Sequence, residues 1–162
     1  MSFADSYVAK LREKVGNDLL LLPGASCLFV DAAGRVMLER RSDFGIWGIP
    51  AGSPEPGEDI FTAIRREMLE ETGLAIDQVI PYGFGSDPAT KRITFPNGHQ
   101  CQFFAMMFYA EWPEGAVPVT SEESFEFGWF APDDLPREIM PSTPVSVAAY
   151  LRYRKTGQFQ RV

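Results

Sequence analysis

The stretch from Ser42 to Gly73 limits the fold more than any other part of the chain, because a heavily punctuated loop runs straight into a helix with one apolar stripe. Gly45, Gly48, Pro50, Gly52, Pro54, Pro56 and Gly57 fall within the first part. So dense a set of turn formers reads as a shaped loop without a regular element. From Asp59 to Thr72 the pattern changes. Ile60, Ile64 and Met68 recur at i, i+4 and i+8, widened by Phe61 and Leu69, which predicts an amphipathic helix with that stripe turned to a core. Gly73 is placed to end the helix in a left-handed conformation. Such a stripe must be buried against another layer of structure.

The flanking sequence supplies that layer. Tyr7, Val8, Leu11 and Val15 predict a short N-terminal helix, about residues 5–16, ending before Gly16. From Ala25, the run Cys27 to Val30 and the run Arg35 to Arg40 flank Asp31-Ala32-Ala33-Gly34 and predict a hairpin. Further strand-like segments lie at 78–83, 91–95, 99–111 and 125–130, with Pro96-Asn97-Gly98 as a hairpin turn. Thr143 as N-cap with Pro144 at the first helical position predicts a C-terminal helix to about Lys155, burying Val145, Ala148, Ala149 and Leu151. No repeat or linker divides the chain, so residues 1–162 are expected to form a single layered domain, α+β or α/β, around a mixed sheet.

Composition narrows the function. Hydrophobic residues make up 45% of the 162 positions, enough for a core, and no apolar run approaches the roughly 18 residues of a membrane span. Fifteen Lys and Arg against 22 Asp and Glu leave a net charge of −7, which argues against a binder of nucleic-acid polymers. Met1 to Gly16 lacks a basic start followed by an apolar stretch, so no secretory signal is read and a cytoplasmic location is expected. Cys27 and Cys101 sit in strand-like runs without a CxxC and read as buried reduced thiols. His99 follows an Asn-Gly turn and is set aside as an exposed hairpin residue. Trp47 and Trp129 read mostly as core.

The acidic residues of the central helix are less ordinary. Glu67, Glu70 and Glu71 are related by i, i+3 and i+4, so three like charges project from one face, each pair costing a few tenths of a kcal/mol. Arg66 lies four residues before Glu70, and lysine is absent from the helix. A hard divalent cation such as Mg²⁺, which takes carboxylate oxygens together with substrate phosphates, would offset the repulsion. A solvated acidic face is the competing reading.

Gly52, then five residues, Glu58, then seven residues, then Arg66-Glu67-Met68-Leu69-Glu70-Glu71-Thr72-Gly73-Leu74 resembles the Nudix box position for position. The resemblance implies an α/β/α sandwich around a mixed sheet, with residues 52–74 forming a loop, helix and loop that hold divalent cations against a pyrophosphate. It implies Glu67, Glu70 and Glu71 as metal ligands, joined by the carbonyl of Ala51, which stands where the family often has glycine. Mg²⁺ is the implied cofactor, with Mn²⁺ as an alternative. Arg66 is implied to orient the catalytic carboxylate, and Glu67 is alternatively the general base. A further catalytic glutamate from a late loop is assigned to Glu123 in preference to Glu122. Glu58 is expected to open the helix at the positive end of its dipole. Arg40 and Arg41 are candidate phosphate-binding residues, or else they blunt an edge strand. The implied activity is metal-dependent hydrolysis of the diphosphate linkage of a small nucleoside diphosphate derivative, a nucleotide sugar such as ADP-ribose or a nucleoside triphosphate. The alternative is a non-catalytic nucleotide-binding module of the same fold. Family habit makes a homodimer the expected assembly.

Overall fold

The computed structural model describes residues 3–162, so Met1 and Ser2 of the expected N-terminal segment lie outside the described residues. After a short 3-10 turn come α1 (Tyr7–Val15), β1 (Leu20–Val30), β2 (Val36–Arg41), β3 (Trp47–Gly48), β4 (Ala51–Gly52) and α2 (Ile60–Thr72). The second half holds β5 (Ile80–Gly85), α3 (Pro88–Lys91), β6 (Arg92–Thr94), β7 (Gln100–Glu111), β8 (Ser124–Phe130), α4 (Ser142–Thr156) and β9 (Gln160–Arg161).

The strands form a mixed sheet in the order β3-β2-β1-β7-β5-β9, with β4 on β1, β6 on β7 and β8 on β2. β1 and β7 run parallel in unbroken register from Leu20↔Cys101 to Val30↔Glu111. Side chains alternate across a strand, and the faces are covered accordingly. Ala25, Cys27, Phe29, Met37 and Phe108 pack with Ile64 and Met68 of α2. Leu28, Val30, Leu38, Tyr82 and Tyr109 pack with Val147, Ala149 and Tyr150 of α4. The result is the α/β/α sandwich, with helices before, within and after the sheet.

Several expectations are corrected. β1 starts at Leu20, not Ala25; Pro23-Gly24 breaks the local strand signal, and the ladder with β7 supplies the order. The loop 42–57 contains β3 and β4, two residues each, held by pairing to β2 and β1. Phe61 and Leu69 are exposed, although Phe61 stacks edge-on against Phe108 with ring centroids 5.0 Å apart. α4 is preceded by Pro141 with no side-chain cap, and Thr143 lies inside the helix. Its buried face is Thr143, Ser146, Val147, Ala149 and Tyr150, while Val145 is half-buried and Ala148 and Leu151 are exposed. The phase differs because two hydroxyl residues face the core, where Ser146 donates to the Met107 sulfur at 3.5 Å and its carbonyl accepts from the Tyr82 hydroxyl at 3.2 Å. α3 and β9 have no counterpart in the sequence reading. Cys27 and Cys101 are buried and unpaired. Among the described residues no helix is long and apolar enough to cross a membrane.

Candidate active site

α2 is fixed at both ends. The Asp59 side chain accepts from the Phe61 and Thr62 amides, and Gly73 closes the helix at φ 72° with its N–H on the Leu69 carbonyl. Asp59, not Glu58, therefore serves the helix N-terminus. Glu58 instead receives Arg66, with Nε to Oε1 at 2.7 Å and Nη2 to Oε2 at 2.9 Å. That pairing holds the Glu58 carboxyl below its ordinary range. Arg66 Nη2 also donates to the Ser53 carbonyl at 3.2 Å, and Nη1 lies 3.0 Å from Glu67 Oε1 and 3.5 Å from Glu70 Oε2. One guanidinium thus ties the loop to the helix and holds Glu67 in place.

Glu67 lies against the backbone of Gly52, where a Cβ would land on its carboxyl group. Gly52 is held opposite Ala25 by the β4 pairing. That close approach, not an unusual backbone angle, is what requires glycine here. Ala51 has an ordinary negative φ, so glycine at 51 is not needed for the backbone.

The acidic face of α2 is solvated only in part: Glu70 is exposed and Glu67 half-buried. Glu71 is 3% exposed, and beside it Glu39 of β2 is 1% exposed. Burial is the largest cause that raises both carboxyls. For Glu39 it outweighs the opposing Arg41 charge and, with Glu123 and Asp43 adding, pushes the group up to about 7. Glu71 is raised well above its ordinary range, by burial first and then by Glu39. Oε2 of each has no hydrogen-bond partner. Glu67 is also raised by burial, against the pull of Arg66.

Sequence reasoning missed Glu39. The signal was an acid inside the otherwise apolar strand Val36-Met37-Leu38, on the side shared by Met37. Strand alternation then puts Arg41 on that side and Arg40 on the other. Arg41 lines the site cavity, its Nη1 3.7 Å from Glu39 and its guanidinium paired with Asp43 at 3.0 and 2.7 Å. Arg40 does not line it; its side chain goes to the Gly45 carbonyl at 3.0 Å and to Glu126 at 3.3 Å. The phosphate-binding expectation for Arg40 is corrected on that ground. The loop before β8 is pinned where Ser42 N–H donates to the Glu123 carbonyl at 2.8 Å, and Glu123 lines the cavity while Glu122 does not.

The cavity has a volume of about 540 Å³. Glu39, Glu67, Glu70 and Glu123 make one end acidic, Ala51 also lines it, and α1 with the β6–β7 hairpin closes the other. Buried Arg12 anchors α1 there, donating to the Gly16 carbonyl at 3.0 Å, the Asp18 carbonyl at 2.6 Å, the Gln100 carbonyl and the Cys101 sulfur. Tyr7 N–H bonds the Glu55 carboxylate at 3.0 Å, joining α1 to the loop before α2. His99 is half-buried and lines this end, which corrects its reading as an exposed hairpin residue.

Among the described residues no three His, Cys, Asp or Glu side chains converge into a finished metal cage, and Arg66 reaches both Glu67 and Glu70. The donor set nevertheless fits a hard divalent cation. It is all oxygen, its members repel one another, and two buried carboxylate oxygens are left without a donor.

The NUDIX domain family model matches residues 20–150. A nucleoside triphosphatase, NudI, from Escherichia coli is 33% identical over 94 residues, 56% of this chain and 65% of that protein. An RNA pyrophosphohydrolase from Dinoroseobacter shibae is 43% identical over 68 residues, 39% of this chain and 42% of that protein. The chain thus spans just under two thirds of the one relative's length and about two fifths of the other's. Among solved structures, a MutT NUDIX hydrolase from Burkholderia pseudomallei superposes with a TM-score of 0.65 at 25% identity, covering 80% of this chain and 98% of that one. An ADP-ribose pyrophosphatase from Streptococcus suis, at 16% identity, shares the fold with a TM-score of 0.61 over 86% of this chain and 96% of that one.

Proposed function

That this chain belongs to the Nudix family is the premise from which we propose that it hydrolyses the diphosphate linkage of a small nucleoside diphosphate derivative, a nucleotide sugar or a nucleoside triphosphate. The observation that carries this reading is the pair of carboxylates Glu39 and Arg66-held Glu67 at one end of a cavity large enough for such a ligand, with buried Glu71 beside them and an orphaned oxygen on both Glu39 and Glu71. The names of the relatives, nucleoside triphosphatase and RNA pyrophosphohydrolase, point to the same class of bond.

Glu67, Glu70 and Glu71, with the Ala51 carbonyl, are the groups that would hold Mg²⁺ or Mn²⁺. Such an ion, when bound, neutralises phosphate charge and makes water a better nucleophile. The chain's own residues do the rest. Arg66 fixes the Glu67 carboxylate in one orientation, and Glu67 would serve either as a metal ligand or, alternatively, as the base that takes the proton of the attacking water, a role that otherwise falls to Glu123. Glu123, from the loop before β8, adds a carboxylate to the same end of the cavity. Arg41, kept charged against burial by Asp43, lies at the same acidic end beside Glu39 and would offer phosphate oxygens the N–H donors that Asp43 does not use.

The test is release of phosphate or nucleoside monophosphate from ADP-ribose, other nucleotide sugars, dinucleoside polyphosphates and nucleoside triphosphates, with Mg²⁺ and with chelator. Turnover that needs the metal is the expected result. Metal-independent turnover overturns the mechanism, and binding without cleavage establishes the non-catalytic module instead.

A further inference from the structure

Four side chains with arginine or lysine heads line the cavity: Arg12, Arg41, Arg66 and Lys91. The first three are committed, Arg12 to backbone carbonyls, Arg41 to Asp43 and Arg66 to Glu58 and Glu67. Lys91 is not. It is 8% exposed, and among the described residues its ammonium has neither a hydrogen bond nor an ion pair. Burial moves the Lys91 amine downward from its ordinary range, with no carboxylate to oppose the shift.

The backbone makes room for this side chain. A Cβ on Gly85 would strike Lys91 Cε and come within 3.1 Å of Nζ, so the lysine stem lies directly on the Gly85 backbone. Glu67 lies on Gly52 in the same manner. Gly52 opposes Ala25, the adjoining Gly24 is level with Ala105, and Ala105 opposes Gly85. Gly52 faces α2 with Ala25, whereas Gly85 shares the α4 side with Ala105 and Met107, so Glu67 and Lys91 reach the one cavity from opposite faces of the sheet, about 14 Å apart within its plane, three strand spacings. That is longer than a diphosphate, but a group on the sugar or other moiety joined to it can cover the distance. The residue is buried while its Nζ keeps access to the cavity, and a partly hydrated ammonium with no protein acceptor costs stability. A ligand anion would offset it.

We propose that Lys91 binds a second anionic group of the substrate, a phosphate monoester or a carboxylate carried on the moiety beyond the scissile diphosphate, and so sets substrate selectivity. This rests on the hydrolase reading for the diphosphate end, but the Lys91 site itself can be tested without turnover.

Two substrate pairs separate the two kinds of anion: ADP-ribose 1″-phosphate against ADP-ribose, and UDP-glucuronate against UDP-glucose. The wild type is expected to favour the charged member of one pair in kcat/KM. Lys91→Met, which keeps length and removes charge, is expected to reduce that preference about tenfold, the size of a single charge-assisted contact. Lys155→Met, an exposed control on α4, is expected to retain it. In a parallel arm, melting is followed in chelator with inorganic phosphate or with acetate. The expected result is an anion-induced rise in wild type and Lys155→Met that is smaller in Lys91→Met. Without added anion, Lys91→Met should melt no lower than wild type; a lower melting point assigns the lysine a structural role and overturns the proposal. Equal preference and equal anion shifts in all three proteins overturn it as well. If no compound is cleaved yet the anion shift depends on Lys91, the hydrolase reading fails and the Lys91 site stands.

Discussion

Glu67 is gripped from two sides, by the Arg66 guanidinium at 3.0 Å and by the bare backbone of Gly52. Glu67→Gln keeps the shape and removes the basic oxygen. It is expected to lower kcat by about 10² to 10⁴-fold with no loss of melting temperature, since it also relieves a buried charge; turnover and melting measured on one preparation check both. Glu39 and Glu71 make a second prediction. Below about pH 4.5 Glu39 is protonated in folded and unfolded chains alike, and between there and about 7 the unfolded chain releases a proton that the fold retains. Metal-free protein should therefore lose stability as pH rises through that window and level off above it, with Glu71 adding in the same direction. Glu58 and Asp59, held below their ordinary ranges, give the opposite slope, but only in more acid solution. A melting series in chelator from pH 4.5 to 8 reads the decline, and Mg²⁺ should flatten it; a chelator series without decline contradicts the burial argument.

At the scale of elements, α2 is the best-specified part of the chain, and its ends can be tested separately. Asp59→Ala removes the acceptor of two amide N–H groups and should cost about 1 kcal/mol. Gly73→Ala should cost about 1 kcal/mol at φ 72°, and more where its Cβ comes 3.2 Å from Val119. Urea unfolding of each variant gives these values. α2 was legible because stripe and stop agree locally, although its opening was assigned to Glu58 when Asp59 caps it. α4 was half-legible: its range came out nearly right, but its phase did not, since Thr143 and Ser146 are buried by hydroxyl contacts that no apolar count reveals. β4 and the start of β1 were hidden because their order comes from partner strands. The carboxylates of the box were legible from spacing, whereas Glu39, Arg12 and Lys91 depend on burial by residues distant in sequence.

Across the whole molecule, α1 closes the cavity through one buried guanidinium and one contact to the loop before α2. Arg12→Met should release that cover more than it destabilises the sheet. Proteolysis ahead of Leu20 is expected to accelerate and KM to rise, with a smaller change in global melting; limited digestion followed by mass mapping distinguishes this from general unfolding. The parallel ladder of β1 and β7 carries a further consequence, for the order in which the molecule can be made. Its partners are about 80 residues apart at every rung, so the chain must close a long loop before those contacts stabilise anything. A nascent chain that has emerged only as far as Thr94 already contains the whole acidic helix and Lys91, yet lacks the strand on which both ends of the cavity depend. Until Glu111 has left the ribosome, the helix has only part of its platform, and its apolar stripe is open to chaperones and to neighbouring chains.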